Sequence, residues 1–236
     1  MPTPVVVHHG EHRLAGLTQG GEAWAEAAAR LSGGRPAYAL DLSGEVKEFT
    51  LDAPPVVALR PMTEGDLPFL VRWLRHEHVQ RWFGVDGEPT PERVAGHYGP
   101  DIAGETATSV WVVEVNGRSV GFCQDYRVGD YPDYSLLTPD PDAIGLDYAI
   151  GEHAFVGRGI GTRMLWVWLR GVAARRPGAR TCFSAPDHRN AASLRLLDKV
   201  GFVRGTWFDE PQPDGSTSTV VGCSLDLERV VGRVAP

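Results

Sequence analysis

The chain has 236 residues, 42% hydrophobic and 22% charged, with a formal net charge of −7. These proportions are ordinary for a globular protein, and no run of about 18 apolar residues is present to cross a membrane. The acidic balance argues against nonspecific nucleic-acid binding, which needs clustered Lys and Arg to neutralise phosphates. The opening MPTPVVVHHGEHR lacks a basic segment followed by a long apolar core, so no secretory leader is read. Cys123, Cys182 and Cys223 each fall in or beside an apolar run without metal-like spacing. They are expected to be reduced core residues of a cytoplasmic protein.

In chain order, VVVHH and RLAGL are short strand candidates, Glu22–Leu31 is an alanine-rich helix, and AYALDL and VKEFTL again have strand character. Ala53-Pro54-Pro55 breaks the pattern, because consecutive prolines remove backbone donors and restrict φ. Residues 1–55 are therefore expected to form a small N-terminal αβ appendage and residues 56–236 the main domain. No catalytic constellation is visible in the appendage.

VVALRPM opens the main domain as a strand. Thr63-Glu64-Gly65-Asp66 has the pattern of a capping box, and Leu67, Leu70, Val71 and Leu74 follow at helical spacing. Thr90 caps a second helix over Pro91–Tyr98, with proline at its first position. SVWVVEV and SVGFCQDY flank Asn116-Gly117, a strong hairpin signal. Six aspartates (125, 130, 133, 140, 142 and 147) then stand with one basic residue, Arg127. Taken alone, a solvated turn-rich loop accounts for them.

The strand IGLDYAI runs into Val156-Gly157-Arg158-Gly159-Ile160-Gly161-Thr162 and a helix from about Gly161 to Ala174. TCFSAP is a strand, Asn190–Val200 a helix stopped by Gly201, and GFVRGTWF and TSTVVGCSLDL are strands around a Pro-Asp-Gly turn at 213–215. Three glycines within five positions fit either an ordinary turn or a phosphate cradle at a helix start. A P-loop would need lysine before Thr162, and a dinucleotide fold would place the turn after its first strand. Both fit poorly.

Gly159 and Gly161 instead match Gln/Arg-x-x-Gly-x-Gly/Ala, with Val156 at the Gln/Arg position, whose backbone N–H would serve a phosphate. Asn190, Ser193, Leu194, Lys199, Gly201 and Phe202 match Asn-x-x-Ala-x-x-x-Tyr-x-Lys-x-Gly-Phe. Together, in order, these segments resemble the GCN5-related N-acetyltransferase (GNAT) superfamily. The resemblance implies an α/β (α+β) fold, with a mixed, largely antiparallel sheet flanked by helices, and acetyl-CoA as cosubstrate with no metal. It puts the coenzyme at Gly157, Arg158, Gly159, Ile160, Gly161, Thr162, Asn190 and Ser193, and along the strand at Tyr148, Ala149 and Ile150.

From residue 56 to about 228 the chain resembles the aminoglycoside 6′-N-acetyltransferases more finely. LRPMTEGDLPFLVRWL, HVQRWFG, GFCQDY, Asp140-Pro141, GLD and the late PDG carry that likeness. It implies that Asp147 is the carboxylate beside the acceptor amine, Trp82 an aromatic wall, and Asp133 and Asp214 acidic contacts to a small cationic amine. Asp147 would take the amine's proton, directly or through water, although an ordinary aspartate, with a pKa of about 3.9, is a weak base at neutrality. A backbone N–H of the Asp147–Ile150 strand would polarise the thioester, and no cysteine nucleophile is needed.

Leu197 stands where the motif has tyrosine, and Ala185-Pro186 where the aminoglycoside group has Asp-Pro. The departing thiolate would then be protonated by water or the product ammonium, and a noncatalytic acyl-CoA sensor remains conceivable. PDHRN and the N-terminal extension resemble siderophore hydroxylysine acyltransferases, which carry histidine at the Asp147 position. His188 is read as a helix-start residue and His153 as a turn residue. No His/Cys/Asp cluster has metal spacing. Oligomeric state is not readable from the sequence.

Overall fold

Two units, Met1–Val56 and Val57–Pro236, divide the computed structural model. It describes residues 1–35, 37–42, 44–52, 55–83, 87–131, 140–211 and 215–232. In the first unit, β1 (Pro4–His9), β2 (His12–Leu17), β3 (Tyr38–Asp41) and β4 (Lys47–Thr50) form a sheet of order β2-β1-β4-β3. α1 (Trp24–Leu31) covers one face, where its Ala27 and Ala28 meet Val5, Val7 and Phe49. Alanine at those positions lets the helix lie close to the sheet.

The second unit runs β5 (Val57–Pro61), α2 (Leu67–Leu74), α3 (Glu77–Gln80), α4 (Pro91–Ala103), β6 (Ser109–Val115), β7 (Arg118–Arg127) and β8 (Ile144–Ile150). It continues with α5 (Ile160–Arg175), β9 (Thr181–Ser184), α6 (Ala191–Val200), β10 (Val203–Pro211), β11 (Thr217–Asp226) and α7 (Leu227–Val231). Its seven strands lie in the order β10-β11-β9-β8-β7-β6-β5. Every neighbouring pair is antiparallel except β8 and β9. Among the described residues no helix is long and apolar enough to cross a membrane.

Local chemistry sets several of these boundaries. Asn116 and Gly117 adopt φ of 51° and 79°, the left-handed pair a two-residue hairpin turn requires. The Asp66 carboxylate accepts from the Thr63 N–H at 2.9 Å and is held by both Nη atoms of Arg60 at 2.7 Å, fixing the entry to α2. Thr90 caps α4 by accepting from the Arg93 N–H at 3.3 Å. That helix runs past Tyr98 to Ala103, through Pro100, and ends at Gly104 with φ 74°. Proline's ring presses on the carbonyl four residues earlier, and here that residue is Gly96, whose backbone has room to relax.

Two apolar layers sandwich the sheet. Leu70, Trp73 and Leu74 of α2 and Val94 and Tyr98 of α4 pack with Val110, Val112, Phe122 and Ala149 on one face. Met164, Leu165, Trp168 and Leu169 of α5 and Leu194 and Leu197 of α6 pack with Ile144, Leu146 and Cys123 on the other. Side chains alternate along β8. Asp147 and Ala149 therefore face the α2/α4 side, and Leu146 and Tyr148 the α5/α6 side. The parallel ladder to β9 contains only Ile144↔Cys182 and Gly145↔Phe183. From Leu146 onward the sheet is split down its middle.

Candidate active site

A cleft of about 1360 Å³ occupies the split. Because β9 does not pair with β8 from Leu146 to Ile150, that edge of β8 is open and side chains from both faces of the sheet reach the same space. Asp147, Tyr148, Ala149 and Ile150 all line it, as do Gly157, Gly159, Ile160, Gly161, Thr162, Asn190 and Ser193. Trp82 joins them from the segment after α3, half-buried, with the Arg81 guanidinium 4.9 Å from its ring centroid. Two histidines fix that segment. His76 Nδ1 and His78 Nε2 hydrogen-bond the carbonyls of Gly151 and Ile150, each at 2.9 Å.

Asp147 sits on the cleft floor directly opposite Gln124 in the β7–β8 register, and Gln124 Nε2 donates to its Oδ2 at 3.0 Å. Tyr126 also hydrogen-bonds it. The Tyr126 ring lies across Gly145, where a β-carbon would come within 2.5 Å of the ring, so glycine there is what admits the tyrosine. Asp147 is half-buried, open to the cleft and enclosed by protein elsewhere. Burial accordingly pushes its pKa above the ordinary carboxylate value, and the bonds from Gln124 and Tyr126 only partly oppose this. Among the described residues, no Lys, Arg or His pairs with it. Nearby Tyr98, 3% exposed, is pushed upward by burial and by the Asp147 charge.

At the far end of the cleft, Gly157 and Gly159 take φ of 74° and 72°, and a β-carbon on either would meet nothing within 4 Å. They are there for backbone conformation, with Gly159 the left-handed N-cap of α5. Gly161 differs, since its β-carbon would lie 2.9 Å from Leu196 Cδ2, so it sets the approach of α5 to α6. The first intrahelical bond is from the Arg163 N–H to the Gly159 carbonyl, leaving the amides of Ile160, Gly161 and Thr162 at the open end of a 16-residue helix. These donors, the helix dipole and the lining cations Arg195 and Lys199 suit a pyrophosphate. The Val156 N–H, by contrast, closes a turn onto the His153 carbonyl at 3.1 Å, so that amide is already committed. Arg158 is exposed and is not among the lining residues.

At the start of α6, Asn190 Oδ1 accepts from the Ser193 N–H at 3.1 Å as the helix cap. The Ser193 hydroxyl lies 2.6 Å from that of Tyr148, and Leu197, one turn on, is fully buried in the core. Asp133 and Asp214 lie outside the described residues. Arg127 pairs with Asp130 at 2.9 Å and Asp142 at 2.6 Å, and Asp140 accepts from the Asp142 N–H, so these acids serve the turn. His188 is exposed, bonded through Nδ1 to the Thr219 carbonyl at 3.0 Å, and does not line the cleft. His153 is exposed at the turn after β8. Among the described residues no group of three or more His, Cys, Asp or Glu could hold a metal ion.

A family model described as an acetyltransferase (GNAT) domain matches residues 62–210. The chain belongs to the GNAT family. It is thus an N-acetyltransferase that uses acetyl-CoA, on a mixed sheet rich in antiparallel pairs. It is 28% identical over 176 residues to aminoglycoside N(6′)-acetyltransferase type 1 of Klebsiella pneumoniae, covering 73% of this chain and 86% of that protein. It is 27% identical over 147 residues to the lysine N-acyltransferase MbtK of Mycolicibacterium paratuberculosis, covering 62% of this chain and 65% of that protein. Among solved structures, aminoglycoside acetyltransferase AAC(6′)-Ib in complex with coenzyme A matches with a TM-score of 0.64 at 26% identity, covering 76% of this chain and 99% of that one.

The GNAT cleft also contains residues that sequence reasoning passed over. Gln124 and Tyr126 stand in GFCQDY at the spacing of one strand face, but their relation to Asp147 depends on a register that no short turn dictates. Tyr98 was read only as the end of a helix. The three cysteines are buried, and burial pushes the thiols of Cys182 to about 12 and Cys223 to about 11. Thiols so disposed are not nucleophiles at neutrality. Alkylation of the native GNAT enzyme is expected to leave acetyl transfer unchanged, by thiol-release assay. Inactivation in step with labelling of one cysteine in the folded state would contradict a direct transfer.

Proposed function

We propose that this GNAT enzyme acetylates the 6′-amine of an aminoglycoside by direct transfer from acetyl-CoA. The observation that carries the reading is Asp147, a carboxylate largely enclosed by protein with no ion-pair partner among the described residues, lining the same cleft as the phosphate-suited helix start. A desolvated, unpaired carboxylate favours a cationic ligand. An aminoglycoside supplies several ammonium groups, and the Klebsiella pneumoniae relative is named for acetylating one.

In this mechanism Asp147 first holds the acceptor ammonium and then takes its proton. Its pKa, raised by burial, makes it a stronger base than an ordinary aspartate. Gln124, on Oδ2, and Tyr126 hold the carboxylate in place as it meets the amine. Trp82 forms a wall of the acceptor site. A backbone N–H on the open edge of β8 polarises the thioester carbonyl, and Tyr148, Ala149 and Ile150 offer that edge. Gly157, Gly159, Ile160, Gly161 and Thr162 hold the pyrophosphate end, with Asn190 and Ser193 beside them. Acetyl-CoA supplies the activated acetyl group.

A second reading, acylation of a lysine-type amine, rests on the likeness to MbtK. One panel separates the two. Thiol release is measured with 6′-amino aminoglycosides, a 6′-hydroxyl aminoglycoside, polyamines, lysine and hydroxylysine. Saturable turnover restricted to the 6′-amino compounds is the expected result. Turnover on lysine or hydroxylysine alone would replace this reading with the second.

A further inference from the structure

Breaking the thioester leaves a thiolate that needs a proton, and Asp147 is occupied at the amine. Consecutive residues on a strand project to opposite faces. Asp147 and Tyr148 are consecutive, yet both line the cleft, because the edge of β8 away from β7 is unpaired there. The strand edge that would carry the acetyl group thus has a carboxylate on one side and a phenol on the other. The Tyr148 ring packs against the α5/α6 core, and its hydroxyl reaches α6, where it lies 2.6 Å from the hydroxyl of Ser193, itself a lining residue. Leu197, one turn further along the same helix, is fully buried and carries no proton to give.

We propose that Tyr148 is the general acid of this enzyme, delivering its phenolic proton to the departing thiolate, with Ser193 as the positioning residue that holds the hydroxyl and relays its replacement. The inference rests on the reading of β8 as the edge along which acetyl transfer occurs. The step balances. Asp147 takes one proton from the bound ammonium and passes it to water in the cleft, and the neutral amine forms the C–N bond as the C–S bond breaks. The new amide nitrogen gives its second proton to Asp147, and the sulfur takes the Tyr148 proton. Tyr148 regains a proton through Ser193 from water in the cleft. Burial, with Cys223 of β11 and Asp147 on its own strand, pushes the phenol above its ordinary value, and the Ser193 bond opposes this. It therefore stands protonated at neutral pH, as an acid must.

The test uses Tyr148→Phe and Ser193→Ala in the full chain, with two readouts. The first is kcat with the best amine of the panel. The second is the pKa of the coenzyme A thiol when bound, followed by ultraviolet thiolate absorbance against pH. Tyr148→Phe is expected to lower kcat about 100-fold with KM for acetyl-CoA within about twofold, and to raise the bound-thiol pKa by removing the donor to the thiolate. Ser193→Ala should shift both in the same direction by less, because the phenol remains. Should Tyr148→Phe fail to fold, Ser193→Ala carries the test by the same two shifts. A bound-thiol pKa unchanged in the folded variants overturns the proposal. The titration needs no acceptor, so its outcome is independent of whether the acceptor is an aminoglycoside.

Discussion

Asp147→Asn is expected to lower kcat/KM for acetyl transfer by about 10²–10⁴-fold while raising the melting temperature of the ligand-free protein. The first effect follows from removing the base. Asparagine can still accept from Gln124, so geometry is kept and proton abstraction is lost. The second follows from linkage. Burial raises the Asp147 pKa in the fold, so the native state binds its proton more tightly than the unfolded chain. Stability from this group is full below the ordinary carboxylate pKa of about 3.9, falls as pH rises through the folded pKa, and stays at its lowest at neutrality. Asparagine removes that fall. Thermal melts of both proteins from acid to neutral pH should therefore diverge upward through that window. Equal activity in the variant, or a variant less stable at neutral pH, would remove Asp147 from the proposed role.

Gly159→Val should raise KM for acetyl-CoA at least about tenfold, whereas Gly159→Asn should stay within about threefold. Open space surrounds the glycine, so a side chain meets no clash, and only its φ of 72° is at stake. A left-handed conformation costs a residue with a β-carbon roughly 1–2 kcal/mol, more for a β-branched one and less for asparagine. About 1.4 kcal/mol is tenfold in binding. Valine would turn the amides of the α5 start away from the pyrophosphate, and asparagine would leave them in place. Calorimetric titration with coenzyme A gives the same comparison without catalysis. Equal affinity for the two variants would mean that this turn does not hold the phosphates.

Features set by adjacent residues were open to reading. The hairpin at Asn116-Gly117, the caps at Thr90 and Gly201, and the glycine turn all express local backbone requirements, and each is where the sequence placed it. The helix expected over Pro91–Tyr98 runs five residues further, through Pro100, because the carbonyl its ring meets belongs to Gly96. Val156 misled because a local turn takes up the amide assigned to phosphate. The environment of Asp147 was not legible at all. Gln124 reaches it across a register set by a long connection, and the raised pKa comes from enclosure by residues far apart in the chain. Tyr148 was read as backbone lining a coenzyme, and only the distance to Ser193 exposes its side chain as chemistry.

The short ladder between β8 and β9 ties folding to ligation. Two residue pairs join the halves of a seven-stranded sheet, and from Leu146 to Ile150 the edge of β8 away from β7 is unpaired. An extended molecule with amides of its own can take hydrogen bonds there as an added strand would. Whatever stability the chain forgoes by interrupting its own sheet is thereby reserved for binding, since a ligand that bridges the halves stabilises only the folded form. Affinity for the coenzyme and cooperativity between the two halves of the sheet then become one quantity, and a substitution that zipped the gap with protein would strengthen the fold at the expense of the enzyme.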